Sequence, residues 1–177
     1  PTTPSPATLT PATATPAQLL FADLESELAI TRRMLGRVPE AHADWRPHAK
    51  SMSLGVLAAH VAELAGFAAV IAETDELDFG AKGYTPTPYG STAANLARFD
   101  EGAARMRQVV DAMTWDDLGR PWRMISGDQV FIEGPKGLLL RQFGISHIAH
   151  HRAQLGVFLR LLHESVPSTY GPSADES

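Results

Sequence analysis

Hydrophobic side chains recur at helical spacing in four segments of the chain, and each segment is long enough for an α-helix. These segments span residues 17–38, 54–73, 91–113 and 136–163. In the first segment Leu24, Leu28 and Leu35 share one face, and charged residues occupy the other. Ser53 precedes the second segment and suits a helix N-cap. The pattern therefore predicts four helices, each with one face turned towards a common core.

The connections between the four segments are long and differ in composition. Residues 39–52 are polar and marked by prolines, and residues 74–90 form a stretch rich in Gly, Pro and Tyr that we interpret as irregular. Two strand-like runs, Trp122–Ile125 and Gln129–Ile132, flank Ser126-Gly127-Asp128 and predict a hairpin. The expected fold is all-α, a four-helix bundle with long crossover connections and a small β-hairpin before the last helix.

The 177 residues favour a single domain with terminal extensions. Residues 1–16 are rich in Pro, Thr and Ala, which predicts an extended N-terminal arm without a core of its own. Residues 17–165 contain the predicted bundle, and residues 166–177 form a short C-terminal tail.

Composition narrows the range of functions. The formal net charge is −5, and no basic cluster of the kind that binds nucleic acid occurs. The chain has no cysteine, which excludes disulfides, thiolate metal sites and a cysteine nucleophile, and which fits a cytoplasmic protein. Since we find no uninterrupted apolar run of about 18 residues, we expect no membrane association.

The histidines are the candidate functional residues. His147 and His151 are four residues apart, so on a helix they lie on one face, and His60 lies on the apolar stripe of another helix. Three imidazole nitrogens suit a divalent transition metal and leave a coordination position for water or substrate. His150 is also a near neighbour of His147, but His151 continues the apolar stripe of the helix. The remaining histidines are His42, His48 and His163.

Spacing alone leaves a structural alternative open, because a buried histidine is often only a hydrogen-bonded core residue. Glu63, three residues after His60, is a candidate fourth ligand, second-shell acceptor or general acid/base, or else a solvated helix charge. Gln154, three residues after His151, is a candidate second-shell partner that would orient a ligand, or else fills a gap in the core.

Two motifs resemble a known family. The sequence from His147 to Gln154, HIAHHRAQ, resembles the H-x-x-x-H-R-[GA]-Q signature of the DinB/YfiT-like family. The stretch from Asp44 to Ala62, DWRPHAKSMSLGVLAAHVA, is similar to the family's entry to its second helix, where its first metal-binding histidine lies. The resemblance covers about residues 17 to 165. It implies a bundle that is commonly a homodimer.

The resemblance also implies a metal centre and a range of activities. The family's three ligands match His60, His147 and His151, and they would hold one divalent transition metal per chain, usually zinc or nickel. Characterised relatives include S-transferases and isomerases that use bacillithiol, mycothiol or glutathione. We therefore expect a metal-dependent enzyme that acts on a small molecule, foremost a low-molecular-weight-thiol S-transferase. A metal-dependent hydrolase and a non-catalytic, stress- or damage-inducible binding protein are the alternatives. A substrate pocket is expected near the histidines, walled by residues 74–90 and the hairpin.

Overall fold

The computed structural model describes residues 14–82 and 85–176 of the chain, with the side chains of residues 81 and 82 left out. The predicted N-terminal arm, residues 1–16, therefore lies outside the described residues except for its last three positions. There the Thr15 side chain accepts a hydrogen bond from the backbone of Gln18 and caps the first helix.

The predicted all-α bundle is confirmed. Its four principal helices are α2 (Leu24–Leu35), α3 (Leu54–Glu73), α5 (Thr92–Ala112) and α8 (His147–Leu161). Four short helices accompany them: α1 (Pro16–Leu20), α4 (Phe79–Lys82), α6 (Trp115–Gly119) and α7 (Lys136–Leu139). Helix α3 is central, because it packs against α2, α5 and α8 and supplies much of the core.

The predicted first helix, residues 17–38, is wrong as a single element, because it divides into α1 and α2. The Arg141 guanidinium donates to the carbonyl oxygen of Leu20 at 2.9 Å and to the Asp23 carboxylate at 2.6 Å. A side chain from a distant part of the sequence thus binds the chain where α1 ends and α2 begins.

Helix α3 has the predicted bounds, and the Ser53 hydroxyl accepts from the backbone of Val56 at its N-terminus. By length and composition alone α3 is apolar enough to cross a membrane, with a mean hydropathy of 1.9, although His60 and Glu63 interrupt its apolar run. Within the bundle 67% of that apolar window is buried. A core helix meets the same criterion, and packing accounts for its apolar character.

The predicted hairpin is present, but it belongs to a larger sheet. Strand β2 (Pro121–Ser126) pairs antiparallel with β3 (Gln129–Pro135), and Gly127 takes a positive φ of 57° in the turn. Strand β1 (Glu76–Asp78) adds to β2 in parallel. The interpretation of residues 74–90 as wholly irregular is therefore wrong at β1 and α4.

The predicted last helix, residues 136–163, has an irregular centre. A π-helical segment, Leu140–Ser146, joins α7 to α8, and the His147 N–H bonds to the Gln142 carbonyl five residues earlier. The segment packs closely, since a Cβ on Gly144 would lie 2.8 Å from the Met106 side chain. Helix α8 ends at Leu161, two residues before the predicted end.

Candidate metal centre

Three histidines from two helices meet inside the bundle. His60 comes from the middle of α3, whereas His147 and His151 lie one turn apart at the start of α8. One ring nitrogen from each lies within 4.8 Å of the other two, and the Nε2 atoms of His147 and His151 are 2.8 Å apart. The structure thus brings together the three residues that the sequence singled out.

The orientation of His151 is fixed by its neighbour on the helix. Its Nδ1 lies 2.8 Å from Oε1 of Gln154. An amide oxygen only accepts, so Nδ1 carries the proton and Nε2 of His151 keeps its lone pair towards the cluster. Gln154 thus contacts the ring as an orienting partner would, and His151 is only 8% exposed.

His60 is oriented by Glu63, which is itself held by Thr87. Its Nδ1 lies 3.2 Å from Oε1 of Glu63, one turn along α3. The other carboxylate oxygen of Glu63 accepts from the Thr87 hydroxyl at 2.7 Å. This carboxylate–histidine arrangement is typical of metal sites, where it fixes the ring and leaves Nε2 for the ion. Of the roles weighed for Glu63, the contacts favour a second-shell acceptor.

His147 differs from the other two because its second nitrogen lacks a partner. Its Nδ1 is buried and makes no hydrogen bond among the described residues. Burial first, and then repulsion from His151, His60 and His150, lower the pKa of His147 from 6.5 to about 4. Burial also lowers the pKa of His151. Both rings are therefore neutral at pH 7 and offer lone pairs.

The donor set fits a divalent transition metal. Neutral imidazole is a borderline ligand that suits zinc, nickel, cobalt, iron and copper. Burial disfavours protonation of His147 and His151, and repulsion between neighbouring rings disfavours it further. A cation held by all three nitrogens at once does not meet that penalty. The three-histidine group could therefore hold one metal ion, and its chemistry does not choose among these metals.

A cavity of about 680 Å³ adjoins the histidines, and His60 and His147 form part of its wall. The connection between α3 and α5 contributes Leu77, Phe79 and Thr87, and the sheet contributes Met124. The wall includes both of the segments expected from the sequence. The volume is in the range of small-molecule sites.

The remaining histidines lie outside the cluster. His150 is exposed, its Nε2 accepts from the Gln154 amide at 3.2 Å, and its ring packs edge-to-face on the ring of His151. His42, His48 and His163 are not part of the three-histidine group. Sequence reasoning missed Thr87, whose only signal was its place in a long connection of the kind that often covers a site.

A comparison with known protein families matches the DinB superfamily over residues 23–155, which is most of the chain. The chain belongs to the DinB superfamily. Two DinB-like crystal structures share the fold at 17% identity. The protein from Bacillus subtilis has a TM-score of 0.60, with 89% of this chain and 97% of that one covered. The protein from Bacillus cereus has a TM-score of 0.61, with 85% and 95% covered.

No functionally curated protein gives a significant match. The DinB fold and family are therefore shown, whereas the reaction must be argued from the site itself.

Proposed function

We propose that this DinB-superfamily chain is a metal-dependent S-transferase for a low-molecular-weight thiol. His60, His147 and His151 hold one divalent metal, with zinc or nickel as the candidates. The observation that carries the proposal is the convergence of three imidazoles beside a cavity of substrate size, with two of the rings oriented by neighbouring side chains. Three protein ligands leave a position open, as catalytic sites do.

The side chains around the histidines have separable tasks. Glu63 holds the His60 ring, and Gln154 holds the His151 ring, so neither imidazole must reorient when a ligand arrives. The apolar wall keeps water away from the reacting atoms and strengthens the electrostatic interactions there. A bound divalent metal would lower the pKa of a thiol ligand, which is then deprotonated at neutral pH.

In the proposed reaction the thiol sulfur forms a bond to an electrophilic carbon of the second substrate. The leaving group departs with the electron pair of the broken bond, and the thiol proton passes to solvent. The nucleophile is the substrate's own sulfur, which agrees with a chain that has no cysteine. Hydrolysis would need a general base near the open position, and the Glu63 carboxylate is already bonded to His60 and Thr87.

Elemental analysis of the purified protein, together with a thiol-consumption assay, tests the proposal. We expect about one zinc or nickel per chain, loss of that metal in His147→Ala and in His151→Ala, and its retention in the matched control His150→Ala. The metal-loaded protein should consume bacillithiol, mycothiol or glutathione with a model electrophile. Full metal retention in both His→Ala variants would contradict the site, and consumption of no thiol would contradict the reaction.

A further inference from the structure

The wall of the cavity beside the histidines is mostly apolar. Phe67, Phe143 and Met124 line it, and no lysine or arginine is among its described lining residues. Its polar groups are His60, His147, Glu63 and Thr87, and the last two are bonded to each other. Among the described lining residues, an anionic group would therefore find no cationic side chain to compensate the loss of its hydration.

Aromatic rings give this wall a fixed shape. Phe67 packs edge-to-face on the buried Trp122 at a centroid distance of 6.2 Å and on Phe143 at 6.1 Å. Phe143 in turn packs edge-to-face on His147 at 5.8 Å. The rings thus form a connected row from the core to the cluster. Such a row offers apolar contact to a ring or hydrocarbon group that reaches the histidines.

The rim of the cavity is apolar as well. Met52 and Val56 line it and are 43% and 42% exposed, among the most exposed large apolar side chains of the described chain. Leu57 is buried in the core, and Val56 is at the cavity. An incoming molecule therefore meets apolar surface before it reaches the histidines.

We propose that the cavity binds an uncharged, largely apolar molecule, aromatic or branched aliphatic, whose single polar reactive group faces the histidines. In the S-transfer reaction this molecule is the electrophile. The inference deepens the proposed function and rests on it in one respect, namely that the polar group is turned towards a metal. The preference for an uncharged apolar body rests on the wall alone.

Two kinds of probe test the inference on the full chain. N-phenyl-1-naphthylamine is neutral and fluoresces when it enters an apolar site, and it can be titrated into the metal-free and the metal-loaded protein. A hydroxamate pair, 4-phenylbenzohydroxamate and 4-carboxybenzohydroxamate, shares a metal-binding group and differs in the para substituent, which is an apolar phenyl ring in the first and a carboxylate in the second. We expect the neutral amine to bind both protein forms, and the uncharged hydroxamate to bind about tenfold tighter than the carboxylated one.

The variant Val56→Lys places a cation at the rim, and Val157→Lys makes the same change at an exposed position of α8 that does not line the cavity. We expect Val56→Lys to weaken binding of the naphthylamine about fivefold and to favour the carboxylated hydroxamate, whereas Val157→Lys changes neither. Circular dichroism checks that both variants are folded.

The outcomes separate the two proposals. Absence of naphthylamine binding, equal loss in the two Val→Lys variants, or a preference of the metal-loaded wild type for the carboxylated hydroxamate would overturn the inference. If the protein holds no metal and neither hydroxamate binds, the proposed function fails. In that case naphthylamine binding that is sensitive to Val56→Lys and not to Val157→Lys still supports an apolar ligand.

Discussion

Helix α8 carries two adjacent buried polar residues, His151 and Arg152, and they differ in how their side chains are paired. His151 is 8% exposed and belongs to a cluster in which the Nδ1 atom of His147 has no partner among the described residues. Arg152 is 2% exposed, and its guanidinium bonds to the Glu27 carboxylate at 2.8 Å, to the Thr31 hydroxyl and to the Tyr170 hydroxyl. Burial disfavours a proton on His147 and His151, whereas the Arg152 guanidinium is paired with a carboxylate.

This contrast distinguishes a polar residue that is buried to stabilise the fold from polar residues that are buried at a candidate binding site. Tyr170 belongs to the C-terminal tail and also donates to Glu27, so the pair of Arg152 and Glu27 joins α2, α8 and the tail. Buried polar groups in a stable core are satisfied by their neighbours, and a group without a partner requires another explanation. On α8, Arg152 ties the helix to α2 and to the tail, whereas His147 lines the cavity.

The largest effect should follow from breaking the buried ion pair between Arg152 and Glu27. Arg152→Met leaves the Glu27 carboxylate buried without its cation, so we expect the free energy of unfolding to fall by about 3–5 kcal/mol. Arg107→Met is the matched control, because Arg107 pairs with Glu25 on the surface, and it should cost less than about 1 kcal/mol. Urea unfolding measures both, and equal costs would contradict the assigned difference.

A smaller effect is expected on the side of the histidines, where Glu63 orients His60. Glu63→Gln removes the negative charge beside the ring but keeps an oxygen acceptor, so we expect about tenfold weaker metal binding with an intact fold. Thr87→Val removes only the outer hydrogen bond and should weaken binding by less. Competition with a chromophoric chelator measures both affinities. Unchanged affinity in Glu63→Gln would show that the contact does not orient a ligand.

The smallest effect concerns the stability of the metal-free protein. Because the pKa of His147 is about 4 in the folded chain and 6.5 without its surroundings, the unfolded state binds a proton first as the pH falls. The free energy of unfolding should therefore decrease from pH 7 to pH 5. The expected contribution of His147 is about 1 kcal/mol, because solvent screens part of the ring.

The variant His147→Asn should make this pH dependence shallower, whereas His42→Asn, at an exposed histidine, should leave it unchanged. Urea unfolding at pH 5, 6 and 7 in the presence of a chelator provides the measurement. Equal slopes in wild type and His147→Asn would contradict the assignment of the titrating group.

Helical spacing predicted the features that depend on local sequence. The bundle, the bounds of α3 and the placement of His60, His147 and His151 on inward stripes follow from periodicity, because an amphipathic face must be buried. The choice of His151 over His150 also followed from the stripe, and it agrees with the cluster. The metal that the cluster would hold stays a prediction.

The features that escaped prediction depend on contacts between distant residues. Strand β1 has three residues, and only its pairing with β2, more than 40 residues later, makes it a strand. The interruption before α2 coincides with binding by Arg141, which no local pattern reports. Thr87 acts on His60 only through Glu63. Contacts of this kind arise from the tertiary structure, so they leave no periodic pattern in the sequence from which they could be predicted.

The number of residues in the π-helical segment Leu140–Ser146 sets the direction in which His147 and His151 point. Each residue of an α-helix advances the direction of the side chains by about 100°. Deletion of one residue from the segment would let regular α-helical bonding resume, and it would turn His147 and His151 away from His60 relative to α7. A homologue with a one-residue gap there could keep every histidine of the motif and still lack the cluster.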